Sequence, residues 1–143
     1  MSEKDNIRAA GEYMEAMNAH DHARMSSYHA EGFQFMAPGM PGPGGEAAHR
    51  AYMEQNWTAF PDLTFQTTQT IADGDYVVEN WIGTGTHDGP LAMPTGDSVP
   101  ATGRTGTVPG SDTIEFKDGK MIRVDVYFDR MSLLANLGVV PGA

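Results

Sequence analysis

Asp112, Arg123 and Asp125 are the residues whose types and spacing could do chemistry in this chain, because a tight hairpin would bring them together. Two runs with strand-like alternation flank Asp118-Gly119, a dipeptide suited to a two-residue turn. With Lys117 opposite Lys120, counting back pairs Phe116 with Met121, Ile114 with Arg123 and Asp112 with Asp125. Directly opposed residues share a face. One face then carries Asp112, Ile114, Phe116, Met121, Arg123, Asp125 and Tyr127, and the other Thr113, Glu115, Ile122, Val124, Val126 and Phe128. We assign the first face to the interior, where two carboxylates and a guanidinium would share apolar surroundings. Two charges ~4 Å apart repel by about 4 kcal/mol at an effective dielectric of about 20, or roughly three pKa units. Either Arg123 neutralises one acid, or one keeps its proton and acts as a general acid. Aldol cyclisation, double-bond migration and epoxide opening all need such a pair, one group taking a proton and the other supplying one. The competing reading is an Asp–Arg bridge that only ties the strands together. On this count the Val124, Val126 and Phe128 row lies outside, as a surface for a second copy.

Other candidates follow the same logic. In "YVVENW", Glu79 alternates in step with Val77 and Trp81. If that face is internal, Glu79 is a buried carboxylate that needs a partner; if Val78 and Ile82 are inside instead, it is solvated. His87 ends the same run and could sit at a pocket rim as a base, or simply be solvated. Trp57, Trp81, Tyr127, Met14, Phe35 and Ile114 are candidates to line a pocket or orient a ligand. Ten methionines are many for this length and suit a flat apolar ligand, although methionine also fills cores. His20 and His22 flank a helix cap with no third ligand nearby in sequence, so no metal is expected. His29 and His49 carry no motif. Arg104 in "ATGR" could attract an acidic ligand or support a turn. The paired glycines of "GTGTHDG" are followed by no helix and make no dinucleotide fingerprint. No cofactor is expected.

The elements that must hold these residues change character along the chain. Ser2 with Asp5 makes a near capping box, and Ile7, Ala10, Met14 and Met17 recur at helical spacing, predicting a helix to about Ala19. Asp21 can cap a second helix through about Tyr28. "EGFQFMA" reads as a strand with Phe33 and Phe35 on one face. "MAPGMPGPGG" is a loop, and "EAAHRAYMEQNWTAF" a third helix ended by Pro61. The period then becomes two. "LTFQTTQTIA", "YVVENWIGTGTH", "RTGTVPGSDTIEF" and "KMIRVDVYFD" read as strands, with "DGPLAMPTGDSVPATG" a long loop among them. Asp129 caps a last helix stopped by Gly138. Helices first and hairpin-connected strands afterwards predict an α+β fold, with helices on one face of a curved, mostly antiparallel sheet.

Composition narrows the class. The 143 residues suit one domain spanning 1–143 with a core and a pocket. There is no cysteine, which excludes disulfides and thiolate chemistry and fits a reducing cytoplasm. A formal net charge of −10 repels phosphate backbones, so nucleic acid is not an expected partner. No apolar run is long enough to predict a membrane span or a signal core.

The order "AFPDLTF…ADGDYVV…W…GTGTHDG…PATGR…DTIEFKDGKMI…YFD…LLANLG" resembles the SnoaL-like polyketide cyclases, or ester cyclases, of the NTF2-like superfamily, from about Phe60 to Gly138. The resemblance implies a cone, with a sheet curled round a deep apolar pocket and closed by the N-terminal helices. It implies a homodimer through the outer sheet face, and acid/base chemistry on a hydrophobic carbonyl- or ester-bearing molecule. A non-catalytic ligand carrier and a dimeric interaction module are the alternatives. Superfamily relatives include isomerases, epoxide hydrolases and dehydratases, so the fold does not fix the reaction. The family's acid/base aspartate lies on the last strand, where its common "E-H-W-D" form aligns the aspartate with Val126, one place past Asp125. The segment "HDGPLAMPTGDSVPATGR" is longer than, and altered from, the usual family loop.

Overall fold

A computed structural model describes residues 2–139. The elements run α1 (Glu3–Asn18), α2 (His22–Ser26), β1 (His29–Met36), α3 (Glu46–Ala59), β2 (Thr64–Asp73), β3 (Tyr76–Thr86), β4 (Leu91–Ala92), β5 (Ser98–Val99), β6 (Thr105–Lys117), β7 (Lys120–Phe128) and α4 (Arg130–Asn136). The predicted caps form. Ser2 accepts from the Asp5 amide, Asp21 from Arg24 and Asp129 from Met131. Gly138 stops the last helix at φ 73, a left-handed value that costs glycine little.

The five long strands form one sheet in the order β1-β7-β6-β3-β2. β1 runs parallel to β7, and the other neighbours are antiparallel. The segment expected to be a plain loop carries a separate two-stranded ribbon, β4-β5. The β2–β3 turn lies at Gly74 and Asp75, with Asp73 paired to Tyr76. The inner sheet face meets α1 through Tyr13, Met14 and Met17, which are buried in the same core as Val77, Trp81, Ile114 and Val124. This is the α+β, NTF2-like arrangement predicted. Among the described residues no helix is long and apolar enough to cross a membrane.

One feature overturns the hairpin count. Asp118 and Gly119 both have positive φ, as a two-residue turn with strands of this twist requires, and Lys117 pairs with Lys120 and Phe116 with Met121 as expected. The register then shifts, because Met121 and Ile122 together occupy the space opposite Phe116. Such a bulge exchanges the faces of everything beyond it. Glu115 faces Arg123, Ile114 faces Val124, Thr113 faces Asp125, and Asp112 faces Val126. The apolar row Val124, Val126 and Phe128 therefore turns inward, and Arg123, Asp125 and Tyr127 turn outward.

Candidate active site

A cavity of about 80 Å³ lies between the inner sheet face and helices α1 and α3. At roughly 10–15 Å³ per water, it has room for several waters or part of a small apolar molecule. Its walls are mostly apolar, with Phe35, Trp81, Val126 and Phe128 from the sheet and Met53 from α3. Few polar groups break this surface: Tyr13, His49, Tyr52, Asn56 and Asp112.

Among the described residues, Asp112 is the one carboxyl in the cavity wall, and it is buried. The Trp81 indole Nε1–H donates to its Oδ1 at 3.0 Å. Gly110 makes that geometry possible, since a Cβ there would stand 2.2 Å from the Trp81 ring. Gly83 and Gly85 similarly leave room for the Phe65 and Phe60 rings. Glu79 sits directly across from Asp112 on β3 and is also buried, behind the cavity rather than in its wall. Burial pushes Asp112 up to about 7 against the opposing pull of the indole hydrogen bond. Burial, and then the Asp112 charge, push Glu79 up to about 7 as well. Desolvation disfavours each carboxylate, and each charge disfavours the other.

Behind the opposite wall lies a group of histidines. The buried Tyr13 hydroxyl lies 2.8 Å from His29 Nε2 and 3.1 Å from His49 Nε2. His29 Nδ1 is hydrogen-bonded to Glu46, which is exposed. His49 Nδ1 lies 2.9 Å from His22 Nε2, and His22 Nδ1 lies 3.3 Å from Ser26 Oγ. Ser26 donates to Glu46 Oε2 at 3.1 Å and closes a ring of side chains. Burial, reinforced by the two neighbouring histidines, lowers His49 to about 3, so its imidazole is neutral. Burial raises the Tyr13 phenol well above its ordinary value.

The sequence candidates divide clearly in position. Asp112, Trp81 and Phe35 line the cavity. Met14 and Ile114 are buried in the core without reaching its wall. Trp57 is half-buried and stacks on His20 with ring centroids 4.9 Å apart. His87, expected at a rim, is fully buried beside Thr102, whose amide donates to its Nδ1 at 3.2 Å. Asp125 and Arg123 are removed from the interior by the bulge and form a two-pronged bridge on the outer face, at 2.9 and 3.0 Å. Tyr127 is 61 % exposed on that same face. Tyr13, which the sequence offers as an aromatic that could line or orient a ligand, does line the cavity; His49, which carries no motif, lines it as well, and Glu46 was passed over. Sequence reasoning also set His22 aside for want of a third ligand, yet His22, Glu46 and His49 offer donor atoms within 4.8 Å of one another and could hold a cation.

The SnoaL-like polyketide cyclase family model matches residues 7–137. The chain belongs to that family. No curated protein is similar enough in sequence to match it. Among solved structures, this SnoaL-like protein superposes on AclR of Streptomyces galilaeus, a proposed hydroxylase, with TM-score 0.85 and 23% identity over 99% of this chain and 86% of that one. A proposed SnoaL-like polyketide cyclase from Jannaschia sp. CCS1 gives TM-score 0.85 and 20% identity over 97% and 95% of the two chains. IdmH of Streptomyces antibioticus, a proposed polyketide cyclase, gives 0.78 and 26% over 97% and 100%. These likenesses show the NTF2-like fold, and the family match supports a small-molecule enzyme or binder.

Proposed function

We propose that this SnoaL-like protein catalyses proton transfer on a hydrophobic, carbonyl-bearing small molecule, with Asp112 as the group that moves the proton. The observation that carries this reading is a lone cavity carboxyl, buried among apolar walls, oriented by an indole N–H, and poised near neutrality. A base of that kind can take a proton from carbon beside a carbonyl. The resulting carbanion closes on a second carbonyl, and the alkoxide takes the same proton back from Asp112. Protons and electrons balance, and the carboxylate is regenerated. Burial keeps the proton affinity of Asp112 high, and the Trp81 indole positions it. Val126, the position that the resemblance aligns with the family's aspartate, stands directly opposite Asp112, and both face the cavity.

Exchange of the α-hydrogens of 2-tetralone in D2O, followed by NMR, tests the chemistry without knowledge of the natural substrate. Wild-type protein should accelerate exchange, and Asp112→Asn should lose most of that acceleration while still quenching or shifting Trp81 fluorescence on binding. Binding with no acceleration in wild type would instead favour the ligand-carrier reading.

A dimer would use the outer sheet face, where Ile71, Tyr76, Ile82 and Tyr127 are exposed. Sedimentation of wild type against Ile82→Lys measures it.

A further inference from the structure

We propose that His22, Glu46 and His49 form a binding site for a divalent transition-metal ion, with Zn2+ the best match, on the outer side of the cavity wall. Their donor atoms come from α2 and from the first turn of α3, and they lie within 4.8 Å of one another. Two imidazoles and a carboxylate are a common zinc ligand set that leaves a fourth position for water.

Hydrogen counting around the ring gives the independent argument. Glu46 is an acceptor at both oxygens, so His29 must carry its hydrogen on Nδ1 and Ser26 must give its hydroxyl hydrogen to Glu46. His29 Nε2 is then an acceptor and takes the Tyr13 hydroxyl hydrogen. The Tyr13 oxygen accepts from His49 Nε2–H. Ser26 has no hydrogen left, so His22 must donate to it through Nδ1–H. Every contact is satisfied except one. His22 Nε2 and His49 Nδ1 are left as bare lone pairs, 2.9 Å apart and beside a carboxylate. Lone pairs so placed repel unless a cation lies between them.

A metal ion would accept both lone pairs. With Zn–N near 2.0–2.1 Å and tetrahedral angles, the two nitrogens would stand roughly 3.3 Å apart, so the two rings need part by only a few tenths of an ångström from their 2.9 Å separation, while the exposed Glu46 carboxylate draws in from within 4.8 Å. Each ligand is already oriented from behind, His49 by Tyr13 and His22 by Ser26, as metal-binding histidines usually are. Glu46 is exposed and His22 half-buried, which gives an ion a way in. The nearby cation Arg50 has its Nε paired with Glu54 at 3.5 Å. A bound ion would not touch the cavity, but it would lock His49 with Nε2–H directed at Tyr13 and so fix the polar side of the cavity wall.

The test is titration of the metal-stripped full-length chain with Zn2+ by calorimetry, and with Co2+ by visible absorption. One ion per chain is expected, with the intense absorption of four-coordinate Co2+. His22→Ala, on the half-buried ligand, should weaken binding by about 10-fold or more, and Glu46→Gln should do likewise, while His87→Gln should leave it unchanged. Imidazole 15N shifts at His22 Nε2 and His49 Nδ1 should move on adding Zn2+. Absence of one-to-one binding, or binding indifferent to His22→Ala, would overturn the proposal and leave a shared proton as what joins the two rings. Because the readouts are binding and spectroscopy, loss of tetralone exchange alone would not count against it.

Discussion

Asp112 and Glu79 face each other across the β3–β6 ladder with both side chains buried. Cross-strand neighbours of this kind hold their Cβ atoms about 4.5–5.5 Å apart. Ionising both puts two charges in one apolar space, and among the described residues neither acid has a salt-bridge partner. The indole of Trp81 donates to Asp112, so Asp112 is the carboxylate of the pair with a hydrogen-bond donor to its charged form. This pair, not the one expected across the β6–β7 hairpin, is where charge has been buried.

The pair makes stability depend on pH. Its folded-state values near 7 stand above the ordinary 3.8 and 4.5, so the native state holds protons that the unfolded chain has already released. That contribution is complete below about pH 4 and is lost as pH rises toward 7, at up to about 1.4 kcal/mol per pH unit per group. The buried neutral His49 works in the opposite sense below its ordinary value of 6.5, gaining stability as pH rises. The clean measurement is therefore a difference. Urea unfolding of Asp112→Asn and wild type from pH 5 to 7 should show the variant gaining on wild type as pH rises. Parallel curves would mean that Asp112 titrates normally.

How far the sequence reads the structure depends on the range of the interaction. The caps at Ser2, Asp21 and Asp129 are local and were legible, as was the switch from helical to alternating periodicity that gave the α+β fold. Asp112 and Trp81 were found because β3 and β6 alternate regularly. Asp125 and Arg123 were misplaced because one extra residue, at Met121-Ile122, moves every later side chain to the other face. Bulges have no strong local signature. The signal available was the unbroken apolar alternation of Val124, Val126 and Phe128, which belongs inside. The histidine ring was illegible because Tyr13, His22, His29 and His49 come from separate elements and meet only after folding.

Arg123 and Asp125 should be dispensable for chemistry. Their bridge has good two-pronged geometry, but the Arg123 side chain is 42% exposed, and solvated pairs contribute about 0–1 kcal/mol. Arg123→Ala and Asp125→Asn should each leave tetralone exchange within about two-fold of wild type and shift unfolding by under about 1 kcal/mol. A hundred-fold loss of exchange in Asp125→Asn would restore the unbulged register.

Gly110→Ala should damage both stability and site. The new methyl would fall 2.2 Å from Cη2 of Trp81, so the indole must swing away and give up its bond to Asp112. Overpacking of this sort costs about 1–3 kcal/mol, and the freed carboxylate should show a higher apparent pKa in the exchange–pH profile. In a Trp81→Leu background the same alanine should cost much less. Equal costs in the two backgrounds, measured by a double-mutant cycle of urea unfolding, would show that the glycine serves something other than the indole.

Val126→Asp probes the same space from the neighbouring strand. Val126 lines the cavity and stands directly opposite Asp112, so a carboxyl there would form a third acid in contact with the buried pair. Like charges at this range raise each other's pKa. The variant should therefore lose stability by more at pH 8, where ionisation is forced, than at pH 5, where the acids can stay protonated. Thermal unfolding at the two pH values reads the difference directly. A cost independent of pH would place the new carboxylate in water, and with it the β7 side chain that we assign to the interior.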